Sequence, residues 1–324
     1  MLNFKLFKEK RKSFPISMAF EPVQLCNARC FCCPYTFLRE QDGYKNKRMN
    51  RKNIEELIRQ FGEVRIKYDY KGILKLNPFR FSDPLICKDL DLILKIAAEY
   101  NIKIVITTNG IGLTKKNLEL LEKYNKLISK ISISLIGSTP ADIKELMGIN
   151  HEIVKKNLND LSKNYSILCS MTRVSLRILR GSQEELDSIK DLRKFFEARN
   201  ITIAATKEQW LTNRINNKDF KVENSKPKEP MKMDNRAQSK SKYVNGCGWK
   251  PLLNRIEVMV DGSVVLCCDD AEKNKVFGNV FDEGIDQIWN TTLKREHELI
   301  INKQFSENKN NLICGTCSRA KWQE

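Results

Sequence analysis

The sequence predicts an α/β chain: a parallel sheet closed or nearly closed into a partial (β/α)6 TIM-type barrel, then a small C-terminal α+β module. Three observations predict it. From residue 19 onward, short β-rich runs alternate with helical patterns, and there are six such runs before residue 207. A stretch poor in apolar residues follows, and the chain then ends in a hairpin pattern, an amphipathic pattern and a Cys-Gly-Thr-Cys.

The first strand candidate is MAFEPVQL (18–25). In NIEELIRQF, Ile54, Leu57, Ile58 and Phe61 recur at helical spacing. ILKLNPF is the second strand, DLDLILKIAAEY a helix, IKIVITT the third strand and TKKNLELLEKY a helix. KISISL, EIVKKNLNDLSK, SMTRVSLRI, SQEELDSIKDLRKFFEA and ITIAAT continue the alternation, and Ser182 with Glu185 makes a capping box for the last helix. In the fifth strand Val174, Leu176 and Ile178 alternate with Arg173, Ser175 and Arg177. Ser132 and Ser134 repeat that pattern in the fourth strand. The apolar face suits the outer helices, and the polar face suits a barrel with a ligand inside. The alternative is an exposed edge strand.

Residues 212–245 read as a linker or mobile cover. Beyond them RIEVMVDGSVVLCC predicts a β-hairpin with Asp261-Gly262 as a two-residue turn. EGIDQIWNTTLKREHELI predicts one amphipathic helix with Ile285, Ile288, Trp289 and Leu293 on one side. The expected organisation is a basic N-terminal extension (1–18), the barrel (19–211), the linker (212–245) and the module (246–324).

The net charge of +17 is scattered over predicted helices, as on a Lys-rich surface, and no nucleic-acid-binding motif is present. No apolar run approaches membrane-spanning length and the N-terminus lacks a secretory h-region, so a cytoplasmic protein without membrane or nucleic-acid partners is expected. Eleven cysteines against two histidines point to metal held by thiolate rather than to disulfides.

Cys26, Cys30 and Cys33 form C-x3-C-x2-C directly after the first strand. Three thiolates on one loop can hold three irons of a [4Fe–4S] cube and leave the fourth open, whereas for zinc they make an incomplete structural site. This arrangement resembles the radical S-adenosylmethionine (radical SAM) superfamily, over roughly residues 19–320. The resemblance implies that the open iron chelates SAM and that cluster reduction yields a 5′-deoxyadenosyl radical, which takes a hydrogen atom from substrate. FSDPL lies where relatives end the second strand with Gly-Gly-Glu-Pro, so Ser82, Asp83 and Pro84 fall at the SAM amino group. Asn109 and Ser134 fall at the SAM ribose or carboxylate. Where relatives often carry an Arg before a Gly, this chain has Met147-Gly148, which leaves Arg177 for the carboxylate. Cys32 takes a position usually aromatic and reads as a packing residue.

Cys247, Cys267, Cys314 and Cys317 resemble the ligands of a short SPASM or twitch module, implying one auxiliary [4Fe–4S] cluster; a four-thiolate zinc site is the alternative. Cys87 and Cys169 read as small buried hydrophobes. Cys268 reads the same way by default, but it neighbours a cluster ligand. In relatives that epimerise a carbon a thiol returns a hydrogen atom, which makes Cys268 a candidate donor.

The cysteine order most resembles the aminocyclitol dehydrogenases, implying oxidation or epimerisation of a small polar substrate such as a sugar, aminocyclitol or nucleotide sugar. Arg173, Ser175, Arg177 and Arg214 suit an oxygen-rich substrate, and a flavodoxin- or ferredoxin-type electron donor is implied. Modification of a ribosomally made peptide is the second reading, set back by a first strand that starts near residue 19 and by too few cysteines for two auxiliary clusters. A non-catalytic iron–sulfur or zinc protein is the third.

Overall fold

The computed structural model describes residues 11–40, 42–178, 183–207, 243–247, 253–271, 273–301 and 320–323. Six parallel strands follow one another across a sheet in chain order: β1 (Ser17–Phe20), β2 (Lys75–Asn77), β3 (Lys103–Thr108), β4 (Ile128–Ile136), β5 (Thr172–Ile178) and β6 (Thr202–Lys207). The helices among them are α1 (Pro34–Leu38), α2 (Arg51–Lys67), α3 (Leu90–Glu99), α4 (Lys115–Lys123), α5 (Pro140–Met147), α6 (His151–Asn164), α7 (Ser166–Ser170) and α8 (Gln183–Glu197). On α2, Ile54, Leu57, Ile58 and Phe61 are all fully buried, each contributing about 1.5–3 kcal/mol by leaving water. Asn50 starts that helix by accepting the Asn53 amide, 2.7 Å away.

The expected partial barrel is present, as an open sheet. Its order is β10-β9-β8-β1-β2-β3-β4-β5-β6, so the C-terminal module continues the barrel sheet instead of standing beside it. β8 (Arg255–Val258) pairs with β1 in parallel, Ser17 opposite Arg255 and Phe20 opposite Val258. β9 (Ser263–Val265) and β10 (Val276–Asn279) add antiparallel strands beyond it. A second, two-stranded sheet pairs β7 (Tyr243–Cys247) with β11 (Ala320–Gln323), placing Ala320 opposite Cys247.

Several boundaries move for identifiable reasons. β1 stops at Phe20, because Pro22 has no N–H to give a ladder. The chain there turns aside to Lys47–Met49, with Gln24 N to Lys47 O at 2.8 Å and Met49 N to Pro22 O at 3.0 Å. The strand starts at Ser17, inside the stretch expected as an extension, and Phe14 already sits in the core. The β8–β9 turn has three residues, not two: Met259 N meets Ser263 O at 2.8 Å, and Gly262 takes φ +86°. Gly262 N to Met259 O at 3.0 Å closes a turn ahead of a glycine bulge, the usual three-residue solution.

The helix expected across 283–300 is two, α9 (Ile285–Asn290) and α10 (Thr292–Ile301). Thr291 Oγ1 donates back to Gln287 O at 2.8 Å, and Thr292 Oγ1 leaves the helix for Phe277 O at 2.6 Å, so consecutive threonines break the ladder. The elements expected from the sequence do not include α1, α5, α7, β7, β10 or β11. α5 has clear local signals: Thr139 and Asp142 form a capping box, Pro140 opens the first turn, and Gly148 ends the helix at φ +65°. The capping box expected at Ser182, most of the linker and Arg214 lie outside the described residues. Among the described residues no helix is long and apolar enough to cross a membrane.

Candidate active site

The cysteine loop leaves the C-terminal end of β1 and is tied down at several points. Arg39 donates to the carbonyls of Cys26 (3.0 Å) and Ala28 (2.7 Å) and stacks over Tyr35. The amides of Arg29 and Phe31 donate to Met147 O (2.8 Å) and Leu146 O (3.0 Å), using the free carbonyls at the end of α5. Cys33 N to Cys30 O at 3.0 Å turns the chain, and Thr36 Oγ1 caps the same carbonyl at 2.9 Å. Cys32 is buried in the core while Cys26, Cys30 and Cys33 remain partly exposed.

The ends of the neighbouring strands converge on this loop. Asn109 Nδ2 lies 3.8 Å from Cys26 Sγ and donates to Asn27 Oδ1 at 2.6 Å. Asp83 is buried and its carboxylate accepts three hydrogen bonds, from Leu85 N (3.0 Å), Thr108 Oγ1 (2.8 Å) and Asn109 N (2.9 Å), bracing β2 against β3. Ser82 Oγ, by contrast, is buried without a partner among the described residues. Arg177 Nη1 donates to Ser134 Oγ at 3.0 Å, and its charge reaches Cys30. Met147, where a cation was sought, is buried with its sulfur 3.1 Å from Ile136 N.

Burial pushes the Cys26 thiol up to about 12, with Asp83 adding to the shift and the Ala28 amide opposing it. Burial and the neighbouring thiols also raise Cys30, against the pull of Arg177. Thiolates here need a metal to balance their charge. Among the described residues no three His, Cys, Asp or Glu side chains meet as ligands of a single ion. A [4Fe–4S] cube takes each thiolate at a different iron, so its ligands do not have to meet at one point. Three soft donors on one loop, with no histidine beside them, fit that cofactor, and the orphaned Ser82 hydroxyl fits a polar ligand next to it.

A second polar cluster, absent from the sequence reading, lies under the turn that carries Cys267. Arg80 Nη1 meets Glu257 Oε2 at 2.8 Å, and Arg80 Nη2 reaches the carbonyls of Cys267 (3.3 Å) and Asp270 (3.1 Å). Arg255 Nε approaches Glu257 from the other side at 2.7 Å. Glu21, one residue past β1 and 1% exposed, accepts from Gln24 Nε2 at 3.0 Å, and burial raises its carboxyl despite Arg80. The signal in the sequence was small: one Arg in NPFRFSDP, and a Glu in the apolar run RIEVMV.

Of the expected module cysteines, Cys267 and Cys268 are partly exposed, and the backbone of Cys247 lies in β7. Cys314 and Cys317 lie outside the described residues. Cys87 and Cys169 are buried, and Cys169 Sγ donates to Arg199 O at 3.2 Å.

Sequence comparison completes the picture. Residues 20–202 match the model of the radical SAM superfamily, and residues 247–318 match the SPASM iron–sulfur cluster-binding domain. The chain belongs to the radical SAM superfamily and carries a SPASM module. Its cofactors are accordingly SAM with its [4Fe–4S] cluster and auxiliary iron–sulfur binding in the module.

No curated protein sequence matches the chain significantly. Among solved structures it is similar to BtrN in complex with AdoMet and 2-DOIA (19% identity, TM-score 0.52, 92% of this chain and 94% of that one). It is also similar to Streptococcus suis SuiB bound to precursor peptide SuiA (19% identity, TM-score 0.56, 95% and 70%). A third is anSMEcpe with bound AdoMet (14% identity, TM-score 0.59, 94% and 83%). At these identities the likeness is one of fold.

Proposed function

We propose that this radical SAM enzyme oxidises or epimerises a small polar substrate bound inside the barrel. The observation that carries the reading is the inner face of β4 and β5. Ser132 and Ser134 stand beside Arg173 and Ser175 in register, while Ile131, Ile133, Val174 and Leu176 on the opposite face are fully buried. β5 lies between β4 and β6, so these polar groups are not on an edge strand.

Cys26, Cys30 and Cys33 hold the SAM-binding cluster in this reading. Ser82, Asp83, Pro84, Asn109, Ser134 and Arg177 surround SAM, with Ser82 Oγ supplying the unused acceptor and the Asp83 carboxylate serving as brace. When bound, the cluster and SAM supply the 5′-deoxyadenosyl radical. Arg177 and Ser134 form a donor pair suited to a carboxylate. Cys247, Cys267, Cys314 and Cys317 hold one auxiliary cluster, and Cys268 is the candidate hydrogen-atom donor if the reaction is an epimerisation. A flavodoxin- or ferredoxin-type protein supplies the electron.

The test is 5′-deoxyadenosine release by anaerobically reconstituted enzyme with SAM and reductant, with and without fractionated metabolites or peptides. Stimulation by metabolites supports the reading. Stimulation by peptides alone replaces it with peptide modification, and release that survives Cys30→Ala would overturn the cluster assignment.

A further inference from the structure

Among the described residues, the inner face of β3 to β6 carries positive charge with no carboxylate beside it. In the strand register Lys130 stands opposite Val105, and Ser132 stands between Thr107 and Arg173. Successive rows along a strand are about 7 Å apart and neighbouring strands about 5 Å, which puts the Cα atoms of Lys130 and Arg173 about 8 Å apart. Both side chains have room to reach one group between them. On this face β3 to β6 place Lys103, Val105, Thr107, Lys130, Ser132, Ser134, Arg173, Ser175, Arg177, Thr202 and Ala204. No carboxylate is among them.

The acids at the other side of the sheet do not fill the gap. Glu257 is taken by Arg80 and Arg255, and Glu21 lies in the field of Arg80 and Lys273. Lys130 and Arg173 make no ion pair or hydrogen bond among the described residues. Lys103 is different, since it donates to Lys126 O. Arg177, two rows nearer the cysteine loop than Arg173, is engaged with Ser134. Among the described residues the charge left over is therefore the pair Lys130, half-buried, and Arg173, exposed to the open barrel, which stand nearer the N-terminal ends of their strands than the groups assigned to SAM.

We propose that the substrate carries a dianionic oxyanion group that Arg173 and Lys130 bind together, with the hydroxyls of Ser132 and Thr107 beside them. A guanidinium presents a fork that matches two oxygens of one anion, and an ammonium adds a point charge that needs no fixed geometry. Two unbalanced cations suit a group of charge near −2, as in a phosphate ester, a diphosphate or a dicarboxylate. A neutral sugar would leave both cations without a counter-ion. The inference deepens the proposed function and rests on its premise that the substrate enters the barrel.

Isothermal titration calorimetry on the anaerobic holoenzyme with SAM, using pyrophosphate and succinate as probes, tests it. We expect saturable binding of one probe, weakened at least tenfold by Arg173→Gln and by Lys130→Met, and less by Arg173→Lys, which keeps the charge but loses the fork. Preference for pyrophosphate identifies a phosphate-bearing substrate, and preference for succinate a dicarboxylate. No binding of either probe, or binding that both neutral variants retain at the wild-type level, would overturn the proposal. Thermal denaturation identifies a variant that has failed to fold, in which case the Arg173→Lys result decides. The wild-type 5′-deoxyadenosine assay on the same preparation judges the enzyme reading separately, because it does not depend on either probe.

Discussion

Arg80 and Glu257 meet at 2.8 Å, and neither side chain has any exposed surface. One comes from the segment after β2 and the other from β8, so the pair joins the barrel to the module through its shared sheet. The second terminal nitrogen, Nη2, holds the carbonyls of Cys267 and Asp270, which satisfies donors that would otherwise be stranded away from water, while Nε is buried without a partner among the described residues. The link thus runs from the Ser82–Pro84 segment to the turn bearing a module cysteine.

Breaking that pair leaves a buried charge. Arg80→Met or Glu257→Gln should each lower the unfolding free energy by about 3–5 kcal/mol, and Arg80→Met with Glu257→Leu should recover part of the loss. Urea unfolding of the three variants measures this. A loss below about 1 kcal/mol in both single variants would show that the pair is dispensable.

The four clustered thiols should separate cleanly by substitution. Cys26→Ala, Cys30→Ala and Cys33→Ala should each remove the iron of the SAM-binding cluster, while Cys32→Ala, at a buried packing position, should keep it. Iron and sulfide analysis with electron paramagnetic resonance of the reduced protein gives the answer. Loss of the cluster in Cys32→Ala would make that residue a ligand.

His297 predicts an acid-labile contact. It is buried, its Nδ1 accepts from Arg11 Nε at 2.9 Å, and burial followed by the Arg11 charge lowers its pKa from 6.5 to about 3. The folded state holds the neutral ring, so this contribution is complete above pH 6.5 and is lost as the pH falls from 6.5 toward about 3. Between pH 7 and pH 5 the wild type should therefore lose more stability than His297→Gln. Equal losses in urea unfolding at the two pH values would remove the residue from the acid response.

Gly262 tests the three-residue turn. At φ +86° a side chain is strained, and an added Cβ would lie 2.6 Å from Asn279 Oδ1 and against the Phe281 ring. Gly262→Ala should cost more than about 1 kcal/mol, and Gly262→Asn at least as much, because its better tolerance of this conformation does not relieve the contact made by the same Cβ. Thermal shift on both variants measures the order, and an unchanged midpoint for Gly262→Ala would refute the turn.

Much of the fold was legible because its signals are local. Period-two alternation in TRVSLRI and helical spacing in NIEELIRQF depend on neighbours within a few residues, and both held. The split between α9 and α10 was not legible, since Thr292 leaves its helix for a carbonyl on β10. The parallel pairing of β8 with β1 was hidden for the same reason: Ile256 lies 238 positions along the chain from its partner Met18, and no local rule joins them.

The sequence by itself determined that three thiols lie on one loop after the first strand, because spacing along a chain is covalent. Only the tertiary structure decided what surrounds them. Asp83 became a brace between strands because Thr108 and Asn109 arrive on another strand. Arg80 found Glu257, and Arg177 found Ser134, for the same reason. Among the described residues Lys130 and Arg173 found no acid, because sheet register, which no single strand specifies, decides which charges share a face.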